Sequence, residues 1–305
     1  VLTVAALTRA ELAARLAGPG LEIRTGAFVT RLHSTIALVA DGVQLLYADY
    51  PLHPPDGFAD FHLRVFRPAG LRRWYQPQVF LQSDGNTPFA PLPLPQAFPM
   101  FEWGLNWSIA SRAHNYLIIH AAVVERGGCA ALLPAPPGSG KSTLCTALVH
   151  RGWRLLSDEL ALIRLTDGAV APMPRPISLK NASIALMRDY LDAPVFSPSV
   201  HDTIKGTVAH LKAPADSVRR ALETARPAWV VFPQYAAGAD PVLTPMSKAR
   251  GHMELAGNAF NYSMLGSAGF HALARLIGHS DCYHFRYSRL DDAIAQFERL
   301  APPQP

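Results

Sequence analysis

Charge is scarce in this chain. Asp, Glu, Lys and Arg make up 17% of its 305 residues, and Lys and Arg never occur in a run of five or more. The net charge of +5 is mild. It argues against a dedicated nucleic-acid surface and is equally accounted for by a basic cleft for phosphates. Cysteine is scarcer still. Cys129, Cys145 and Cys282 are scattered, odd in number and without a CxxC pair, which excludes a disulfide-built scaffold and reads as a reduced, cytoplasmic protein. No stretch of about 18 apolar residues is present to span a membrane. The opening helical pattern carries Arg9, Glu11 and Arg15 in place of a signal-peptide core. No internal repeat is visible. Hydrophobic residues, at 49%, are plentiful enough for a proper core in one large domain or two ordinary ones.

The stretch around which the chain is organised is Ala135-Pro136-Pro137-Gly138-Ser139-Gly140-Lys141-Ser142. It matches the phosphate-binding pattern of Gly, four residues, Gly-Lys-Ser/Thr, except that Ala135 stands in place of the first glycine. Such a loop turns backbone N–H groups toward phosphates, and Gly138 and Gly140 let the backbone approach closely. Lys141 is expected to reach the β- and γ-phosphates of a nucleotide, and the Ser142 hydroxyl to hold Mg²⁺. The nucleotide-binding set is Pro137, Gly138, Ser139, Gly140, Lys141, Ser142 and Thr143. The flanks supply the context: an apolar run from Cys129 to Leu133 predicts a buried strand, and Leu144, Ala147 and Leu148 share a helix face. A Gly/Pro turn that happens to contain Lys-Ser is the competing reading, and both flanks count against it.

Ahead of the loop, Thr8 and Glu11 form a capping-box pattern for a helix through Leu16. Strand character follows in Leu21 to Leu32, Thr35 to Ala40 and Val43 to Tyr50, with Asp41-Gly42 as a hairpin signal, then in Phe61 to Phe66 and Val79 to Leu81. These predict a mostly antiparallel β module over residues 1–95, in which Trp74 and Tyr75 are either packing or a ligand platform. The prolines from Pro88 to Pro99 mark the connection to a second domain, residues 96–305. There Phe98 to Ala113 predicts a helix with Phe101, Leu105 and Ile109 on one stripe. Leu117 to Val124 and Cys129 to Leu133 predict a hairpin turning at Glu125 to Gly128. Phe196 to Ile204 reads as a loop, Ala215 to Ala225 as a helix, and Ala228 to Phe232 as a strand bracketed by Pro227 and Pro233. Ser288 to Asp291 is expected to cap a last helix.

Phosphoryl transfer also needs a carboxylate to hold Mg²⁺ or to accept the proton of an attacking hydroxyl. Asp158-Glu159, at the end of an apolar strand, is the candidate pair, with a solvated surface pair as the alternative. His120 lies inside the apolar run one strand before the loop. Either it is a satisfied core histidine, or it hydrogen-bonds the acidic pair or the substrate hydroxyl.

From His120 to Arg164 the chain resembles the catalytic core of HPr kinase/phosphorylase. That family shows a strand histidine, a hairpin, Gly-x-Ser-Gly-x-Gly-Lys-Ser, and then Arg-Gly-His-Arg-Leu-Val-Ala-Asp-Asp. Here the order is Ile119-His120-Ala121, Ala135 to Ser142, and Arg151-Gly-Trp-Arg-Leu-Leu-Ser-Asp158-Glu159. Within it, the chain is most similar to the subgroup called HPr kinase-related kinase A, through Arg175 to Asn181, Thr203 to Leu211 and Phe260 to Ser263. The resemblance implies an α/β fold: a phosphate-loop domain with a mixed, twisted sheet, shared with phosphoenolpyruvate carboxykinase. It implies Asp158 as general base and Mg²⁺ ligand with Ser142, Glu159 as second carboxylate, and His120 beside them. It also implies ATP and Mg²⁺ as cofactors, a peptide or protein bearing an acceptor hydroxyl (Ser first) as partner, and homo-oligomers as a possibility. The family's Gly-rich signature after the acidic pair is absent, which argues against HPr as substrate and against the reverse reaction. Lys180 and Lys205 are either contacts for phosphate or an acidic substrate, or solvated lysines. A small-molecule hydroxyl kinase and a nucleotide-binding scaffold without transfer stay open as alternatives.

Overall fold

The computed structural model describes residues 2–54, 57–70, 75–136 and 138–301. The chain opens with α1 (Arg9–Ala17), β1 (Leu21–Thr25), β2 (Phe28–Ser34), α2 (Ala37–Leu46), β3 (Phe61–Phe66), β4 (Gln78–Ser83), β5 (Leu92–Pro93) and α3 (Ala97–Arg112). The middle runs through β6 (Tyr116–Arg126), β7 (Cys129–Pro134), α4 (Lys141–Val149), β8 (Arg154–Ser157), β9 (Leu160–Arg164) and β10 (Val170–Ala171). Next come β11 (Ile177–Lys180), α5 (Ala182–Tyr190), β12 (Val200–Thr203), β13 (Gly206–Leu211) and α6 (Ala215–Arg219). The last run is β14 (Arg226–Tyr235), β15 (Val242–Pro245), α7 (Lys248–Gly257), α8 (Tyr262–Leu265), α9 (Ser267–Gly278), β16 (Asp281–Tyr287) and α10 (Leu290–Glu298).

Two compact units share these elements. One holds the chain up to Ile109 together with Arg175–Arg219; the other holds Ala110–Pro174 and the chain from Arg220 onward. The boundary expected at residue 95 falls inside the first unit, because β5, inside the proline run, pairs with β4. Pro93 thus belongs to a sheet edge, where a missing N–H is tolerated, and Pro99 lies in the first turn of α3.

The first unit contains a five-stranded sheet in the order β1-β2-β3-β4-β5 and a three-stranded sheet in the order β11-β13-β12. The capping box is present: the Thr8 side chain accepts from the Glu11 amide, and the Glu11 carboxylate accepts from Thr8. The expected strands Thr35 to Ala40 and Val43 to Tyr50 are instead α2. Val39, Ala40, Val43, Leu46 and Tyr47 are buried at helical spacing, and β2 and β3 run parallel, so the link between them must be a crossover. Gly42 turns no hairpin; it sits in the helix where a Cβ would lie 2.2 Å from the Phe98 ring. Val200–Thr203, expected as loop, pairs with β13. α6 ends at Arg219, short of the expected helix through Ala225. Of the aromatic pair, Tyr75 is exposed and Trp74 lies outside the described residues.

The second unit is built on a sheet ordered β10-β9-β6-β7-β14-β16-β15, with β8 also on β6. β7, β14 and β16 are mutually parallel where they pair, and the others are antiparallel. Alternating residues of β6 (Leu117, Ile119, Ala121, Val123) pack with Leu255 of α7 and Leu273, Leu276 and Ile277 of α9. The opposite face meets α4. Period two therefore places His120 on the α4 side. Pro227 and Pro233 lie within β14 and do not bracket it; the register against β7 slips between Pro227 and Trp229, which accommodates the missing N–H. The expected Ser288 cap is not made: the Ser288 hydroxyl donates to Ala239, and Asp291 and Asp292 occupy the first turn of α10.

Candidate active site

The loop between β7 and α4 is aimed by its neighbours. Ala135 is buried and is not among the described non-glycine residues of positive φ, so its methyl replaces a glycine hydrogen without strain. Gly138 (φ +85°) and Gly140 (φ +88°) are both left-handed. A Cβ at Gly138 would meet nothing, whereas one at Gly140 would lie 2.5 Å from the Tyr287 hydroxyl. The Tyr235 amide donates to Ser139 O at 3.0 Å, and the Tyr287 hydroxyl donates to Gly140 O at 3.2 Å. The ends of the two parallel strands beyond β7 thus hold the loop open at the start of α4. The Ser139 hydroxyl is buried without a hydrogen-bond partner among the described residues, and Ser142 and Thr143 are half-buried in the first helical turn. Pro137 lies outside the described residues.

Lys141 opens α4 and is 8% exposed. Its Nζ lies 3.0 Å from His120 Nε2, and Glu159 Oε2 lies 3.2 Å from the same nitrogen. Asp158 and Glu159 sit between β8 and β9, which both pair with β6: Val123 is opposite Ser157, and His120 is opposite Leu160. The two carboxylates thus occupy the short gap in an otherwise paired strand. Asp158 is 5% exposed. Burial pushes the Cys145 thiol well up; the Asp158 carboxylate adds to that and the Lys141 charge opposes it. Asp158 therefore acts on the same face of α4 that carries Lys141 and Cys145. The structure brings together His120, Lys141 and Glu159, with Asp158 against the helix.

Sequence reasoning missed what seats His120. Past the end of β7, the free edge of β6 is covered by Asn258 to Asn261. The His120 amide donates to Asn258 O at 2.8 Å, and the Phe260 amide donates to Ile118 O at 2.9 Å. The buried Asn261 carboxamide completes the ladder, accepting from Ile118 N at 2.9 Å and donating to Tyr116 O at 2.8 Å. Phe260, 54% exposed, lays its ring against His120 with centroids 5.7 Å apart. The motif Phe260 to Ser263 was the only signal for this seat.

Lys180 and Lys205 belong to the other unit, as does Arg175. Lys205 lies over the Trp103 ring at 5.3 Å, and Arg175 pairs with Glu102 and Asn106.

The site suits a polyphosphate and a hard cation. It offers a helix N-terminus, left-handed glycines, an unsatisfied buried hydroxyl, a buried ammonium and a buried carboxylate. Among the described residues no cluster of three His, Cys, Asp or Glu forms a cage for a metal, so a cation here would rely on Ser142, Asp158 and its phosphate ligand.

No protein-family model matches the chain, and no curated protein does. Among solved structures it is similar to the HPr(Ser) kinase/phosphatase from Coxiella burnetii, with 12% identity, 60% of this chain and 95% of that chain covered, and a TM-score of 0.28. Likeness at that level assigns neither family nor activity. Among the described residues no helix is long and apolar enough to cross a membrane. At the level the structure carries, this is a mixed α/β protein with a glycine loop at the head of α4 beside a cluster of His120, Lys141 and Glu159.

Proposed function

We propose that the chain is an ATP-dependent phosphotransferase that moves the γ-phosphoryl group to a hydroxyl, of Ser type, on a peptide or protein. One observation carries this reading: a buried lysine at the head of α4 stands within hydrogen-bond distance of His120, which in turn meets Glu159. An anion cradle alone binds; a cradle beside positioned acids transfers.

Asp158 accepts the proton of the acceptor hydroxyl. The acceptor oxygen bonds to the γ-phosphorus as the bond to the β,γ-bridging oxygen breaks, and ADP leaves. Lys141 and the loop amides hold the charge on the phosphoryl oxygens, the main source of rate in this chemistry. Ser142 and Asp158 would hold Mg²⁺, which supplies Lewis-acid neutralisation of the phosphates when bound. Glu159 fixes His120 at the edge of the acceptor side, and the half-exposed Phe260 gives the acceptor an apolar surface. Cys129, Cys145 and Cys282 are all buried free thiols, which fits a reducing, cytoplasmic setting.

The test is transfer from γ-labelled ATP with Mg²⁺ into peptides and proteins of the source cell, beside Lys141→Ala and Asp158→Asn. Label on a polypeptide with the intact protein alone supports the reading. ATP binding and consumption without polypeptide label moves the acceptor to a small molecule, and binding without consumption leaves a scaffold. Asp158→Asn is expected to abolish transfer while sparing ADP binding; equal loss of binding in both variants would sink the role given to Asp158.

A further inference from the structure

One nitrogen at the centre of the site has two partners that ask opposite things of it. Lys141 Nζ is 3.0 Å from His120 Nε2, and Glu159 Oε2 is 3.2 Å from that atom. An ammonium only donates, so Lys141 requires a bare lone pair on Nε2; a carboxylate only accepts, so Glu159 requires a hydrogen there. One tautomer of a neutral imidazole serves Lys141 and turns a lone pair on the Glu159 oxygen. The other serves Glu159 and turns an N–H on the ammonium. Neither serves both.

The ring itself is held. Its backbone is bonded to Asn258, its ring packs tilted against Phe260, and the Asn261 carboxamide closes the strand two residues before it. What can change is the position of the hydrogen and the direction of the lysine.

We propose that His120 is a positioning residue that couples phosphate on the loop to the acidic pair. The proposal rests on the phosphate-loop reading above. A phosphate oxygen is a better acceptor for an ammonium than an imidazole lone pair, because both partners are then charged. Lys141 turns to the phosphate, His120 takes the Nε2–H tautomer, and that hydrogen is donated to Glu159 beside Asp158. With Lys141 turned to His120, the ring's one hydrogen sits on Nδ1, reached by exchange with water, and none is offered to Glu159. The acidic pair is thereby set for an acceptor only when a donor phosphate is in place.

The test is nitrogen-15 NMR of imidazole-labelled protein titrated with Mg²⁺ and ADP, with binding followed in parallel by calorimetry. His120→Gln identifies the resonance by its loss. The expected result is a bare, accepting Nε2 before ADP and a hydrogen-bearing Nε2 at saturation. Lys141→Ala is expected to show the hydrogen-bearing form without ADP. An Nε2 that keeps one form through saturation, or that ignores the loss of Lys141, overturns the proposal. Absence of ADP binding overturns the phosphate-loop reading instead, and the Lys141→Ala spectrum then still decides whether the lysine sets the tautomer.

Discussion

The Tyr287 hydroxyl donates to the Gly140 carbonyl at 3.2 Å, across 147 positions of chain. Tyr287 is 1% exposed and stacks on Phe285, with ring centroids 5.2 Å apart. The glycine loop is therefore tied from β16 at Gly140, as it is from β14 at Ser139. Tyr287→Phe removes one buried hydrogen bond, at a cost of about 1 kcal/mol in denaturant unfolding, and weakens ADP binding. Gly140→Ala costs more, because the left-handed φ adds about 1–2 kcal/mol to the clash. Pairing the two substitutions relieves the clash but not the φ. Full recovery in the double variant would show that backbone strain is not the cause.

Arg154 and Glu125 form an ion pair with each side chain 4% exposed. Arg154 also donates to the carbonyls of Arg220 and Glu223, and Glu125 accepts from Gly128 N at the β6–β7 turn. Either partner removed alone leaves the other, buried, with only a longer contact to a more exposed charge: Arg154 to Glu223 at 3.8 Å, or Glu125 to Arg220 at 3.9 Å. Glu125→Ala and Arg154→Ala are each expected to lose about 3–5 kcal/mol in urea unfolding. A loss near that of an exposed pair would show that water reaches the site.

Glu102 is buried against Tyr47 and Arg175. Burial raises its carboxyl above the ordinary glutamate range, with Arg175 and the Tyr47 hydroxyl pulling the other way. The folded protein thus holds this proton more tightly than the unfolded chain does. The stability it contributes is full below the ordinary glutamate value and falls as pH rises through the folded-state one. As pH rises above the ordinary glutamate value of about 4, the wild type should lose stability relative to Glu102→Gln. Parallel curves for the two would refute this.

Gly42 separates a hairpin from a helix by experiment. Ala is the better helix former by about 1 kcal/mol, yet here its Cβ would run into Phe98. Gly42→Ala is expected to destabilise by about 1–3 kcal/mol, and Phe98→Leu in the same chain to restore part of it. Destabilisation that ignores Phe98 would point to a turn.

What was legible in the sequence was local. Thr8 and Glu11 are one turn apart, the Glu125–Gly128 hairpin is contiguous, and strand, loop and helix around Lys141 follow one another directly. Asp41-Gly42 misled because its local signal suits a turn, whereas α2 is demanded by the parallel pairing of β2 with β3 and by Phe98 on another helix. Pro227 and Pro233 read as strand ends because a central strand seldom carries proline. The seat of His120 and the pinning of Gly140 were hidden for one reason: Asn261, Tyr235 and Tyr287 act on residues about a hundred or more positions away, which no periodicity reveals.

Asn261 closes onto Ile118 across 143 positions, and this sets an order of events. Contacts of such sequence separation are costly in loop entropy and form late. During synthesis the β6–β7 hairpin and the glycine loop leave the ribosome long before the carboxamide that completes their neighbour. A nascent chain therefore holds β6 and the glycine loop well before it holds the carboxamide that seats His120, and Tyr287, which ties down Gly140, follows later still.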